Sequence, residues 1–222
     1  MKDRELIHVL TRYFGYKNFA LSKIKSFTPP ADSLEMEFYY SAYFYHLCSA
    51  IDEVNKKFPT FLGELKRNIS LPSYSGQNNY RYISELRNAI IHRGLQINQV
   101  GHVIGELVCP IAPESITDRK GKETFAAFGY YLIDIINICE QVVGKTIYST
   151  LSDCGYFNDI ERSEQPLANQ ELLNQIFETM QTNKFIPDAY KIMVNKDDLE
   201  KIDFCEMHNN QNEKLKKLLL CF

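Results

Sequence analysis

The stretch from Phe38 to Val54, FYYSAYFYHLCSAIDEV, constrains the fold more than any other part of the chain. Asp32 or Ser33 can cap a helix here, Glu35 and Glu37 follow, and Pro59 closes it after Phe58. A helix that is apolar on nearly every side has no face to give to water. It belongs at the centre of a helical bundle or in an interface between two copies. Phe38, Tyr39, Tyr40, Tyr43, Phe44 and Tyr45 could stack on bases, but at helical spacing they read first as core.

The flanking segments supply partners for that helix. Residues 3–27 place Leu6, Ile7, Leu10, Tyr13, Phe14, Leu21 and Ile24 at helical intervals, as one or two amphipathic helices interrupted near Gly15, and Thr28-Pro29-Pro30 ends them. Residues 60–70 read as a short helix and 71–76 as a turn-rich loop. Asn79 to about His92 reads as another helix, stopped by Gly94. Val100 to Ile111 is β-branched, carries two glycines and reads as a strand or hairpin. Glu123 to Ser149 reads as a long amphipathic helix, and helices are expected near 168–182, 197–203 and 210–220. The expected architecture is mainly α. A helical bundle spans residues 1–150, with a short β insertion at about 98–112, and an α-rich C-terminal region, 151–222, packs on it.

Composition narrows the function classes. With 222 residues, 45% hydrophobic and 24% charged, the chain is neither disordered nor fibrous. No apolar run reaches the ~18–20 residues that span a bilayer. The opening MKDRELIHVL is not expected to act as a secretory signal, so a cytoplasmic location and no membrane partner are expected. Six scattered cysteines without a CxxC pair read as reduced, mostly buried thiols. Residues 1–94 carry a net charge of +4 and residues 95–222 a net of −7, so only the first part favours a polyanion, and weakly.

The segment that carries chemistry is Arg81 to Gly94, RYISELRNAIIHRG. On a helix, Ile83, Leu86 and Ile90 share an apolar face, while Ser84, Asn88 and His92 form one polar stripe. Asn88 can touch His92 and help hold its imidazole in one tautomer. Arg87 lies between face and stripe. Histidine both takes and gives a proton near neutral pH, and the guanidinium fork matches a phosphate. Such a pair can cleave RNA without a metal. The base takes the 2′-OH proton, that oxygen attacks phosphorus, and arginine steadies the added negative charge. Arg87 and His92 are about 140° apart on an ideal helix. Either the helix ends near His92, or two chains bring their segments together across a dimer axis. The bland alternative is an Arg87 that pairs with Glu35 or Asp52 and a His92 that merely ends a helix.

Arg87-Asn88, three apolar residues and His92, near the end of a bundle helix, resemble the R-x(4–6)-H signature of the HEPN superfamily, in which a polar residue typically follows the arginine. The resemblance covers about residues 1–150. It implies a compact HEPN-like helical bundle that dimerises, with Arg87 and His92 catalytic and Asn88 supporting. It implies a metal-independent endoribonuclease that leaves a 2′,3′-cyclic phosphate, needs no cofactor, and serves a bacterial toxin or antiphage system, with an antitoxin or regulatory protein as a further partner. The alternative is a non-catalytic module of the same fold that binds RNA or protein. One branch of the family carries a modifiable tyrosine two residues after the histidine; here that residue is Gly94. Some members use a further polar residue from the preceding long helix, for which His46, Ser49, Asp52 and Glu53 are placed, with no choice among them.

Other signals are weaker. Val143-Gly144-Lys145-Thr146 resembles the end of a phosphate-binding loop, but Cys139 stands where the first glycine is required. His8, His46, His102 and His208 lack metal-ligand spacing. Lys214, Lys216 and Lys217, interleaved with Leu215 and Leu218 to Leu220, read as an amphipathic end that docks on the body rather than on a membrane.

Overall fold

A computed structural model describes residues 4–158 and 204–220, together with positions 174 and 178. The architecture is mainly helical, with a small β insertion. The long aromatic helix, α2 (Ser33–Lys57), sits at the centre. Asp32 caps it by accepting the Glu35 N–H at 2.9 Å. Tyr40, Tyr43, Phe44, Leu47, Ile51 and Val54 are fully or almost fully buried. The helix is not sealed all round: Leu34, Phe38 and Tyr45 stay exposed.

Before it comes α1 (Arg4–Ile24), one continuous helix rather than two. Gly15 does not interrupt it, because the stripe Leu6, Ile7, Leu10, Phe14, Leu21 and Ile24 is buried on both sides of the glycine. A mid-helix glycine costs about 1 kcal/mol. Each buried aliphatic or aromatic side chain returns ~1.5–3 kcal/mol, which outweighs it. Helices α1 and α2 form an antiparallel-type hairpin across a short loop.

A short helix, α3 (Phe61–Asn68), leads to α4 (Gly76–Arg93), which packs on α2 and α3. Next come two antiparallel hairpins. Strands β1 (Gly101–Ile104) and β2 (Leu107–Pro110) pair with Gly101 opposite Pro110. They are the expected insertion. Strands β3 (Ser115–Thr117) and β4 (Thr124–Ala126) pair with Ser115 opposite Ala126, and this second hairpin is unexpected.

It also corrects the start of the next helix. The segment from Glu123 was expected to be helical, but α5 runs Leu132–Asp153. Residues 124–126 are strand because Phe125 on β4 and Ile116 on β3 alternate inward, between exposed neighbours, and are buried. The helix is set to begin later by Asp134, whose carboxylate accepts the Tyr131 N–H at 2.9 Å.

The last described helix, α6 (Phe204–Leu220), lies across α1 and α5. Leu215 and Leu219 are fully buried, so the lysine-rich end docks on the body. It is the expected helix near 210–220, extended at its N-terminal end. The expected helices near 168–182 and 197–203 lie outside the described residues, apart from positions 174 and 178. Beneath α6, Lys17 and Glu140 form a buried ion pair at 2.5 Å, and the Tyr43 hydroxyl donates to the same carboxylate at 2.6 Å. Among the described residues, no helix is long and apolar enough to cross a membrane.

Candidate functional site

The rotation of α4 decides where its polar residues point. Ser75 caps the helix by accepting the Asn78 N–H at 3.2 Å. Tyr82, Ile83, Leu86 and Ala89 are buried, so the apolar face is centred one position earlier than the sequence suggests, and Ile90 is half-buried. Two polar side chains lock this orientation. The Asn79 amide donates to the Ile69 carbonyl at 2.8 Å, and the Tyr82 hydroxyl donates to the Pro113 carbonyl at 2.7 Å. Gly94 ends the helix with φ at 67°, a left-handed conformation that glycine adopts without a Cβ clash.

That rotation separates the expected pair. Asn88 and His92 open into one cleft of about 520 Å³, which Arg93 and Arg119 also line. His92 is exposed and Asn88 half-buried. They share the cleft, yet among the described residues no hydrogen bond joins them. Arg87 turns instead toward α2, where its Nη2 meets Asp52 Oδ2 at 3.3 Å. The Arg87 side chain is 19% exposed, and its Nε–H is buried without a partner. A single chain therefore does not bring Arg87 and His92 onto one atom. The Asp52 contact is the ion pair of the bland alternative, but Asp52 is 45% exposed. An exposed pair of this kind is worth about 0–1 kcal/mol, which leaves Arg87 exchangeable.

Of the four supporting candidates on α2, Asp52 touches Arg87. Glu53 pairs with Lys56 at 2.7 Å. His46 faces α1, ringed by Tyr13, Tyr16 and Tyr45 at 5.0–5.9 Å. Burial, then the nearby Arg12 charge, hold its pKa below the ordinary histidine value. Ser49 is half-buried on the same helix. Next to Arg87, burial pushes the Cys48 thiol up to about 12, so it stays protonated and is no nucleophile.

Two arginines were not anticipated. Arg93 donates to the Thr117 carbonyl at 2.5 Å and to the Glu85 carbonyl at 3.0 Å, tying β3 to the end of α4. Arg119 stands on the β3–β4 turn, exposed. The signal for that turn was present in Asp118-Arg119-Lys120-Gly121 between two β-prone triplets, but Glu123 onward reads as amphipathic helix and masks it.

The phosphate-loop resemblance has a structural explanation. Gly144 lies within α5, and a Cβ there would sit 2.2 Å from the Leu219 carbonyl oxygen. The glycine allows α6 to approach; it does not cradle an anion. Thr146 accepts from the Asn68 amide at 3.0 Å and donates to the Val142 carbonyl. Among the described residues, no cluster of three or more His, Cys, Asp or Glu side chains is placed to hold a metal ion. Comparisons of the chain with protein-family models, curated proteins and solved structures give no match.

Proposed function

We propose that this protein is a metal-independent endoribonuclease of HEPN type. The observation that carries the reading is the exposed imidazole of His92 in an open cleft walled by two arginines and an amide. Imidazole is the side chain suited to proton transfer at neutral pH, and a cationic cleft attracts a phosphodiester. His92 takes the proton of a ribose 2′-OH or gives one to the leaving O5′. The O2′–P bond forms as the P–O5′ bond breaks, leaving a 2′,3′-cyclic phosphate and a 5′-hydroxyl. Arg87 stabilises the charge that builds on the phosphoryl oxygens, and Asn88 orients the substrate or the imidazole. Because Arg87 and His92 diverge within one chain, the reading places them in a homodimer in which two copies complete each site. Cytoplasmic action in a toxin or antiphage system, with RNA as substrate and an antitoxin or regulator as partner, completes the proposal.

The Arg87–Asp52 contact favours a second reading, a non-catalytic module of the same fold that binds RNA or protein. Purified protein incubated with RNA in EDTA separates the two. The nuclease reading expects fragments ending in cyclic phosphate, lost in both Arg87→Ala and His92→Ala while the circular dichroism spectrum is kept. RNA equally stable with wild type and variants leaves only the binding module.

A further inference from the structure

The turn of the second hairpin is built as a rigid mount for one cation. Within it, Asp118 Oδ1 accepts the N–H of Lys122 at 2.7 Å and of Glu123 at 3.4 Å, and the Gly121 N–H donates to the Asp118 carbonyl at 3.1 Å. Gly121 adopts φ 68°, which closes the turn. The hairpin is then clamped to α4 at two levels. Arg93 holds the Thr117 carbonyl on β3, while the Asn78 side chain donates to the Ala126 carbonyl at 2.8 Å and accepts the Ala126 N–H at 3.0 Å on β4. Ile116 and Phe125 are buried beneath.

This mount carries Arg119 to the cleft of His92 and Asn88. Its neighbours are already engaged. Arg93 faces Glu85 and Thr117, and Arg81 pairs with Glu123 at 3.7 Å and lies over the Phe125 ring. Asp118 spends its carboxylate on the turn's own N–H groups. Among the described residues, Arg119 makes no ion pair or hydrogen bond and no carboxylate lines the cleft. A guanidinium with open donors on a held turn, beside an imidazole and an amide, fits a phosphate that forks onto arginine. Lys120 and Lys122, exposed on the same turn, extend the positive charge beyond it.

We propose that the β3–β4 turn is a backbone-binding element for single-stranded RNA, in which Arg119 grips a phosphate adjacent to the ribose presented to His92. The site rests on the ribonuclease reading for its substrate, and it supplies from the same chain the cation that Arg87 does not bring to His92.

The test uses the full chain and a fluorescent 2′-O-methyl RNA oligonucleotide, which cannot be cleaved by 2′-OH attack. Anisotropy is followed in EDTA over a range of salt. Arg119→Ala is expected to weaken binding about tenfold, the loss typical of one charged hydrogen-bonded contact. It should also flatten the dependence of log affinity on log salt by about 0.7, the share of one single-strand phosphate. Arg119→Lys keeps the slope and loses part of the affinity. With cleavable RNA, Arg119→Ala raises KM more than it lowers kcat. Arg119 is exposed on a turn, so both variants fold, and a circular dichroism spectrum verifies it. Binding and slope unchanged in Arg119→Ala overturn the site, even if the wild type cuts RNA, which leaves the ribonuclease reading intact. Arg119-dependent binding without any cleavage of unmodified RNA sustains the site and overturns the ribonuclease reading. A wild type that does not bind the oligonucleotide overturns the site.

Discussion

Lys17 on α1 and Glu140 on α5 are buried charges that meet beneath α6, and their removal has a size that the geometry sets. Their side chains are 4% and 10% exposed, and Nζ lies 2.5 Å from both carboxylate oxygens. Tyr43 donates to the same group, and the ammonium also sits over the Phe14 ring at 5.2 Å. Lys17→Met leaves a buried carboxylate with a single donor. Removing one partner of such a pair costs about 3–5 kcal/mol. For a chain of this size that lowers the thermal midpoint by roughly 6–20 °C. Glu140→Leu is similarly costly at neutral pH, but that variant recovers as pH rises. Burial holds the Lys17 pKa below its ordinary 10.5 against the opposing pull of Glu140. Between the folded and unfolded values the unfolded lysine keeps a proton that the folded one sheds, so stability increases with pH there. The triple change Lys17→Met, Tyr43→Phe, Glu140→Leu leaves neither an unpaired charge nor an unpaired hydroxyl, and should lie within about 2 kcal/mol of wild type or above it. Urea unfolding followed by circular dichroism gives each midpoint and slope. A Lys17→Met variant within about 1 kcal/mol of wild type, or single costs that simply add in Lys17→Met/Glu140→Leu, would refute the view that these charges stabilise only as a pair.

Three further outcomes follow from the packing. Gly144→Ala places a methyl against the Leu219 carbonyl oxygen and should cost about 1–3 kcal/mol, with faster proteolysis near α6; unchanged digestion would show that α6 shifts freely. Cys154 is an exposed thiol, whereas burial pushes Cys48 up to about 12 and Cys139 well above its ordinary range. A disulfide reagent at pH 8, read by peptide mass, should therefore label Cys154 in the native protein and reach Cys48 and Cys139 only after unfolding. His46 has a lowered folded pKa, so as pH falls through 6.5 the unfolded state gains the proton first and stability is lost until the folded value is passed. His46→Phe should reduce the difference in urea midpoint between pH 7.5 and pH 5.5, and an undiminished difference would assign the acid sensitivity elsewhere.

Helices were legible where one face repeats. The stripe from Leu6 to Ile24 and the face of α4 each identify a helix because burial has a period that the residues display, while α2 shows as an aromatic run between a cap and Pro59. Ends and breaks were less legible. Gly15 carries a local signal that surrounding burial overrides, and Thr124 to Ala126 carries a helical period that pairing with β3 overrides. Neither the partner strand nor the Asp134 cap can be inferred from local periodicity alone. At the site, the sequence identifies Arg87, Asn88 and His92 as neighbours along a helix but leaves the rotation of that helix open. The Asn79 and Tyr82 hydrogen bonds set it, through partners in distant segments. Arg119 enters the cleft through tertiary contacts alone, and so does the pairing of Lys17 with Glu140, 123 residues apart in sequence.

The divergence of Arg87 and His92 makes the proposed dimer measurable. An ideal helix places side chains five apart about 140° around its axis, and Arg87 is further turned to Asp52. If two copies complete each site, one contributes Arg87 and the other His92. A mixed dimer of Arg87→Ala with His92→Ala then has one site with both residues native and one with neither. Equal amounts of the two inactive variants, unfolded together and refolded, give about half mixed dimers, and hence about a quarter of wild-type activity. If each chain holds its own site, with Arg87 leaving Asp52 to swing toward His92, every site in the mixture lacks one residue and activity stays at the level of the single variants. Asp52→Asn distinguishes the two geometries again. It releases Arg87 at a cost of about 1 kcal/mol or less, so it should raise the rate where Arg87 must swing. Where Asp52 instead holds Arg87 ready for the second copy, the same change should lower it. A quarter of the activity in the mixture, joined to a slower Asp52→Asn, is the combination that a site shared between two copies requires.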